Sequence, residues 1–220
     1  MSSRDFILGR VRRNQPAPTP LPDVPTFDRE LPSPVAAFAA ALARMGGIFA
    51  EPPPRVSLDS FIRERFPQAQ VVCSATPEVR GTRSIASVGH PGDLQDVDVA
   101  VVRAAFGVAE TGSVWLSEAE FGVNALGFLS QHLVVLLDPR DIVPDLHHAY
   151  RHRGFHEARY AALMTGPSAT ADIEGVLVLG AQGIRSLTVI PSGASSAPDA
   201  RGELLSVDPC QAPAPGRRLR

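Results

Sequence analysis

Residues 166–190 read Gly-Pro-Ser-Ala-Thr-Ala-Asp-Ile-Glu-Gly-Val-Leu-Val-Leu-Gly-Ala-Gln-Gly-Ile-Arg-Ser-Leu-Thr-Val-Ile, and their punctuation sets how the chain divides. Gly166 and Pro167 stop the preceding apolar run, Ser168 or Thr170 can cap the next element, and Asp172 and Glu174 put negative charge where a helix N-terminus is positive. Ile173, Val176, Leu177 and Gly180 recur at helical spacing, so a short helix is expected. Gly180 and Gly183 then break the pattern, and Leu187 to Ile190 has the β-branched character of a buried strand. The stretch is expected to be loop, helix, turn and strand, with helix and strand packed closely.

Upstream of it the same alternation repeats. Ser33 as a cap and Pro34 at the first helical position predict a helix through Val35, Phe38, Leu42 and Met45, stopped by Gly46 and Gly47. Strands are expected at 48–50, 70–74, 97–102 and 133–137, and helices at 57–66, 124–130 and 140–152, the last with Ile142, Val143, Leu146 and Ala149 inward. Residues 78–92 read as loop with a strand at 84–88. Val108 to Leu116 forms two short arms around Thr111 and Gly112, a hairpin or a sharp bend. Near-continuously apolar strands between helices imply an α/β fold with a mostly parallel sheet covered by helices on both faces.

The termini differ from this body. Residues 2–13 predict a helix with Ser2 at the cap, Asp5 three positions later, Ile7, Leu8 and Val11 on one side and arginines on the other. From Asn14 to Pro34 there are seven prolines, four of them on alternate residues, which favours an extended tether. Residues 194–220 are rich in Ser, Ala, Pro and Arg and read as a mobile tail. The division is therefore 1–34 helix and linker, 35–193 folded domain, and 194–220 tail.

Bulk properties exclude several function classes. All 21 basic residues are arginine, and a formal charge of -2 offers no basic excess for nucleic acid. Cys73 and Cys210 have no partners at ligand spacing, so this chain alone supplies neither an iron–sulfur nor a zinc site. No run approaches the roughly 20 apolar residues of a membrane span, and residues 1–5 lack a signal peptide's apolar core, so a cytoplasmic location is expected. Walker, dinucleotide and Gly-x-Ser-x-Gly patterns are absent.

Among chemistry-bearing residues, Glu110 stands out because it follows Val108 and Ala109 and precedes Gly112, a place where a strand end could present a carboxylate. A poised carboxylate there reads as a catalytic general base, or as one residue of a turn that Gly112 makes possible. Thr111, Gly112 and Ser113 beside it, and Gly166, Ser168, Thr170, Asp172 and Arg185 from the opening stretch, are the candidate ligand-binding residues. The 166–174 loop could hold an anion on backbone N–H groups at a helix start, or simply cap that helix. His148, His152 and His156 share a face if one helix runs through Gly154, a metal-ligand spacing set against Arg151, Arg153 and Arg159 in the same segment. Trp115 reads as core, or as a stacking surface for a planar ligand.

The segments Ala109-Glu110-Thr111-Gly112-Ser113 and Gly166-Pro167-Ser168-Ala169-Thr170-Ala171-Asp172-Ile173-Glu174, in that order, resemble the LutC/YkgG group of LUD-domain proteins over about residues 35 to 193. Members usually carry His-Gly-Pro-Arg where this chain has Gln182-Gly183-Ile184-Arg185, so only Gly183 and Arg185 are shared there. The resemblance implies a variant of the NagB/RpiA/CoA-transferase fold. It also implies a part in bacterial lactate utilisation, the oxidation of L-lactate to pyruvate, with iron–sulfur clusters on partner subunits and a small carboxylate or CoA-type ligand. A stand-alone CoA-transferase-like or sugar-phosphate isomerase-like enzyme using Glu110, or a non-catalytic carboxylate-binding module, is the alternative.

Overall fold

The computed structural model describes residues 2–17, 19, 22, 25, 33–171 and 176–193. The tail from 194, much of the linker and Asp172 lie outside them. In chain order the helices are α1 Ser3–Arg13, α2 Pro34–Arg44, α3 Leu58–Arg65, α4 Glu118–Phe121, α5 Leu126–Leu129, α6 Leu146–Tyr150 and α7 Gly154–Glu157. The strands are β1 Ile48–Phe49, β2 Val72–Ser74, β3 Arg83–Ser84, β4 Val99–Arg103, β5 Phe106–Val108 and β6 Ser113–Ser117, then β7 His132–Leu137, β8 Ile142–Val143, β9 Ala161–Met164, β10 Ala169–Ala171, β11 Leu177–Leu179 and β12 Ser186–Pro191.

Six strands form a parallel sheet in the order β1-β12-β7-β4-β2-β3, which bears out an α/β fold built on a mostly parallel sheet. Period-two alternation divides its side chains between two layers. Ala100, Val102, Leu133, Val135, Leu137, Leu187 and Val189 join the layer containing Phe38 and Leu42 of α2. Val99, Val101, Val134, Leu136 and Ile190 face Ile62 of α3 on the opposite side. Both layers are buried and apolar, which is why these strands carry little polar alternation. Burying Phe38 and Leu42 contributes roughly 3–6 kcal/mol, enough to hold an 11-residue helix on the sheet.

Ser33 caps α2 by accepting from Ala36 N at 3.2 Å, with Pro34 in the first turn, as the sequence predicts. The helix over α3, the strand over β7 and the two arms of β5 and β6 also form where expected. The 84–88 segment is only partly a strand: β3 ends at Ser84 and a 3-10 turn covers Ile85–Ser87.

Three corrections follow from the structure. A second sheet, β8-β5-β6-β9, shares the α2 face of the parallel sheet, so that face is covered by strands as well as by a helix. The helix expected over 140–152 is a 3-10 turn at Pro139–Asp141, then β8, then α6. Pro144 explains it, since a proline denies the helix an N–H and biases the preceding residue toward extended geometry; Ile142 and Val143 pair with Gly107 and Val108 instead. Finally, the opening stretch holds no helix among its described residues. Ala169, Thr170 and Ala171 pair antiparallel with Leu179, Val178 and Leu177 as a two-stranded hairpin. An unbroken Val-Leu-Val-Leu run suits strands better than the single apolar stripe of a helix.

Candidate functional site

The glycine-rich turns that the sequence singles out converge on α2. Gly112 has φ +68°, and a Cβ there would lie 2.2 Å from Leu42 N and 2.7 Å from Ala41 C. Gly166 has φ +66°, and its Cβ would lie 2.1 Å from Met45 O. Both turns press backbone against backbone at the C-terminal half of this helix. Ser113 joins them: its hydroxyl accepts from Thr111 Oγ1 at 2.8 Å and shares a short hydrogen bond with Thr165. Thr111, Gly112, Ser113 and Gly166 are therefore neighbours, brought together by the pairing of β6 with β9.

Glu110 lies just outside this group, exposed, two residues past the end of β5. Its N–H donates to Pro144 O at 3.0 Å and its Oε2 accepts from Leu146 N at 3.2 Å, at the first turn of α6. The carboxylate thus closes the contact between the β5–β6 turn and the start of α6.

Ser168 and Arg185 meet at a different place. Ser168 N donates to Ile184 O at 2.9 Å, Ser168 O accepts from Gly180 N at 2.7 Å, and Arg185 N donates to Gln131 O at 2.7 Å. This fixes the base of the β10–β11 hairpin to the beginning of β7, with Ile184 in the core at 3% exposure and Arg185 exposed. Thr170 is exposed in β10 opposite Val178. The expected helix start, and the backbone anion site it would make, are replaced by strand pairing. Arg185 instead acts on His132, whose ring bonds Ser186 Oγ at 2.8 Å; burial and then the nearby guanidinium hold that imidazole below its usual pKa.

The histidine series is broken by the gap between α6 and α7. His148 Nδ1 lies 2.8 Å from Asp145 Oδ1, His152 packs on Phe106 with ring centres 4.4 Å apart, and His156 Nε2 is 3.2 Å from Tyr150 O. They point to three different environments rather than one helix face. Burial pushes the Asp145 carboxyl up, but the hydrogen bonds from His148 outweigh it and leave the group below its usual range. Trp115 is buried between Phe106, at 5.5 Å, and Phe155, at 4.0 Å, in the small core under α6 and α7.

A polar cluster that sequence reasoning missed sits where ligands of open parallel sheets bind, at the C-terminal ends of the strands. Arg103 ends β4, Ser74 ends β2, Asp138 follows β7 and Ser192 follows β12. Arg103 Nε donates to Glu78 Oε1 at 2.6 Å, while Nη1 and Nη2 reach Ser192 O at 3.3 Å and Ser192 Oγ at 3.2 Å. Glu78 also takes a short hydrogen bond from Thr76, whose carbonyl accepts from Ser74 Oγ at 2.9 Å. Asp138, only 3% exposed, accepts from Arg140 N at 2.9 Å and bridges to its guanidinium at 2.6 Å. The signal was present in sequence: Val99 to Val102 and Leu133 to Leu137 are apolar runs that end abruptly in Arg103 and Asp138. The chemistry this edge offers is recognition of an anion by a guanidinium whose two terminal nitrogens make only long bonds to neutral acceptors, which an anion could displace.

Residues 92–190 match the family described as LUD domain. That span runs from just before β4 to the penultimate residue of β12 and includes Arg103, Glu110 and Asp138. No curated protein matches the chain. A DUF162 family protein from Deinococcus radiodurans has a similar crystal structure, with a TM-score of 0.57 at 17% identity over 73% of this chain and 96% of that one. At that identity the likeness speaks for the fold.

Proposed function

We propose, because residues 92–190 match the LUD domain family, a domain associated with lactate utilisation, that the chain serves the oxidation of L-lactate to pyruvate as a subunit working with iron–sulfur partner proteins. The family match is the observation that carries this reading. The chain's chemistry is consistent with it. Oxidation of a 2-hydroxy acid releases two electrons, and a chain whose two cysteines lie at 73 and 210 has no thiolate set to hold a cluster. Cys73 is buried in β2, where desolvation raises its thiol pKa and disfavours the ligating thiolate.

The contribution we assign to this chain is binding of the substrate carboxylate at Arg103. A carboxylate approaching the guanidinium's terminal nitrogens exchanges two bonds to the neutral oxygens of Ser192 for an ion pair, while Glu78 keeps Nε oriented. Thr76 and Ser192 hydroxyls are at hand for the 2-hydroxyl group.

The test is lactate-dependent dye reduction by the purified iron–sulfur partners at increasing ratios of this chain, native or Arg103→Met. The expected result is a saturating, stoichiometric dependence on the native chain, with Arg103→Met raising the half-saturating lactate concentration at least about tenfold, the loss of about 1.4 kcal/mol of binding. If the partners oxidise lactate equally well alone, and the chain neither binds them nor alters the rate, the reading is wrong.

A further inference from the structure

Among the described residues, two apolar surfaces have no partner. The first is α1, a helix with none of its residues buried and with Phe6, Ile7 and Val11 each more than half exposed. It is nonetheless built to stay helical. Ser2 and Asp5 form a reciprocal capping box, Asn14 N–H closes the other end on Arg10 O and Val11 O, and Arg10 lies 6.0 Å over the Phe6 ring. An isolated 11-residue helix is marginal, so these features matter where the helix must be formed before it meets a surface. It carries four arginines and one aspartate.

The second surface is the β10–β11 hairpin. Val176, Leu177, Val178 and Leu179 are consecutive and 44–62% exposed, so both faces of the arm are apolar. At its base Gly183 lies against Ser168 and the Phe128 carbonyl, and the half-exposed Phe128 ring contacts Tyr160, extending the patch onto the body. A two-stranded hairpin with this much apolar surface is poorly stable by itself, and contiguous exposed patches of this kind mark interaction sites. Residues 34–193 contain 12 arginines and 16 carboxylates, so the body is net negative where α1 is net positive.

We propose that α1 of one copy docks on the hairpin patch of a second copy, and reciprocally, giving a two-fold dimer held by exchanged helices. The Phe6, Ile7 and Val11 stripe meets the hairpin, and the arginines face the acidic body. Residues 15–33 can span up to about 65 Å, which does not limit the exchange. A standard stable interface buries roughly 1,600 Å² in total, and two-fold exchange asks each helix–hairpin contact for only about half of it. An anionic membrane is a poorer match for α1, because the net-negative body would be repelled from it. This inference is independent of the lactate reading.

Sedimentation equilibrium of the full chain tests it, alongside Phe6→Glu/Val11→Glu and Leu177→Glu/Leu179→Glu, both made at exposed positions and checked for native circular dichroism. The native chain is expected to be a dimer, and each variant to dissociate at least about thirtyfold more readily, the effect of losing anchor residues. Mixing the two variants should give a heterodimer weaker than the native dimer but tighter than either variant alone, because one intact helix then meets one intact hairpin. A helix variant that stays dimeric would mean that the hairpin pairs with itself. A native chain that is monomeric at about 200 μM, two decades above an ordinary micromolar affinity, would mean that α1 serves its own body or another protein. Either result overturns the proposal.

Discussion

Gly112 faces the backbone nitrogen of Leu42 so closely that a methyl group on its Cα would sit 2.2 Å from that nitrogen. Helix α2 and the β5–β6 turn are thus in backbone contact, and no side-chain adjustment can relieve a larger residue there. Gly112→Ala is expected to destabilise the protein by about 3 kcal/mol, combining overpacking with left-handed backbone strain. Urea unfolding should show the lower midpoint, with an unchanged slope. A variant as stable as the native chain would mean that the contact is looser than described.

Glu110→Gln keeps an oxygen able to accept from Leu146 N, so stability should change by less than about 0.5 kcal/mol. If the side chain's work is to join the turn to α6, lactate-dependent dye reduction in the reconstituted system will also be unchanged. A loss of more than about tenfold with the fold intact, a barrier increase above about 1.4 kcal/mol, would instead assign the carboxylate to the reaction.

Arg103 and Glu78 are a partly buried pair, 25% and 14% exposed. Removing only the arginine strands a carboxylate, so Arg103→Met should cost about 2 kcal/mol, less than for a fully buried pair. Adding Glu78→Gln should recover more than half of that loss, as thermal unfolding of the single and double variants will report. Failure of the second change to recover stability would show that Glu78 is held by its other contacts.

His132 and His152 are both held below the ordinary imidazole value of about 6.5, chiefly by burial. The unfolded chain therefore binds more protons than the fold just below that pH, and stability rises with pH through the window. Melting temperature should fall as pH is lowered from about 7 toward 5, before carboxylates titrate. Phe106 provides the apolar surface against His152, so His152→Leu should flatten part of the dependence. An unaltered slope would place the effect at His132.

What was legible in the sequence was whatever a single segment encodes. Ser33 and Pro34 fix the start of α2 whatever surrounds them, and the apolar runs at 99–102 and 133–137 can only be buried strands. The failures came where tertiary pairing chose between two local options. Val176 to Leu179 fits a helix turn as well as a strand until Ala169–Ala171 is there to pair with it. Ile142 and Val143 fit an inner helix face until β5 offers a free edge. The candidate site was harder still, because Arg103, Glu78 and Ser192 are far apart in sequence and only the strand order β12-β7-β4-β2 makes them neighbours. The turn glycines could be recognised, but not that α2 was the surface they accommodate.

The strand order has a consequence for how the molecule comes into being. Among the described strands, β12, the last in chain order, separates β1, the first, from the rest of the parallel sheet. When β1 emerges from the ribosome its sheet neighbour β12 does not yet exist, and about 140 residues must still be added, on the order of ten seconds of synthesis. Any chain interrupted before residue 186 leaves β1 without a seat and the β7 edge bare. Completion of the sheet is thus a signal that the whole domain has been translated, and a truncated product advertises itself by an open, apolar edge.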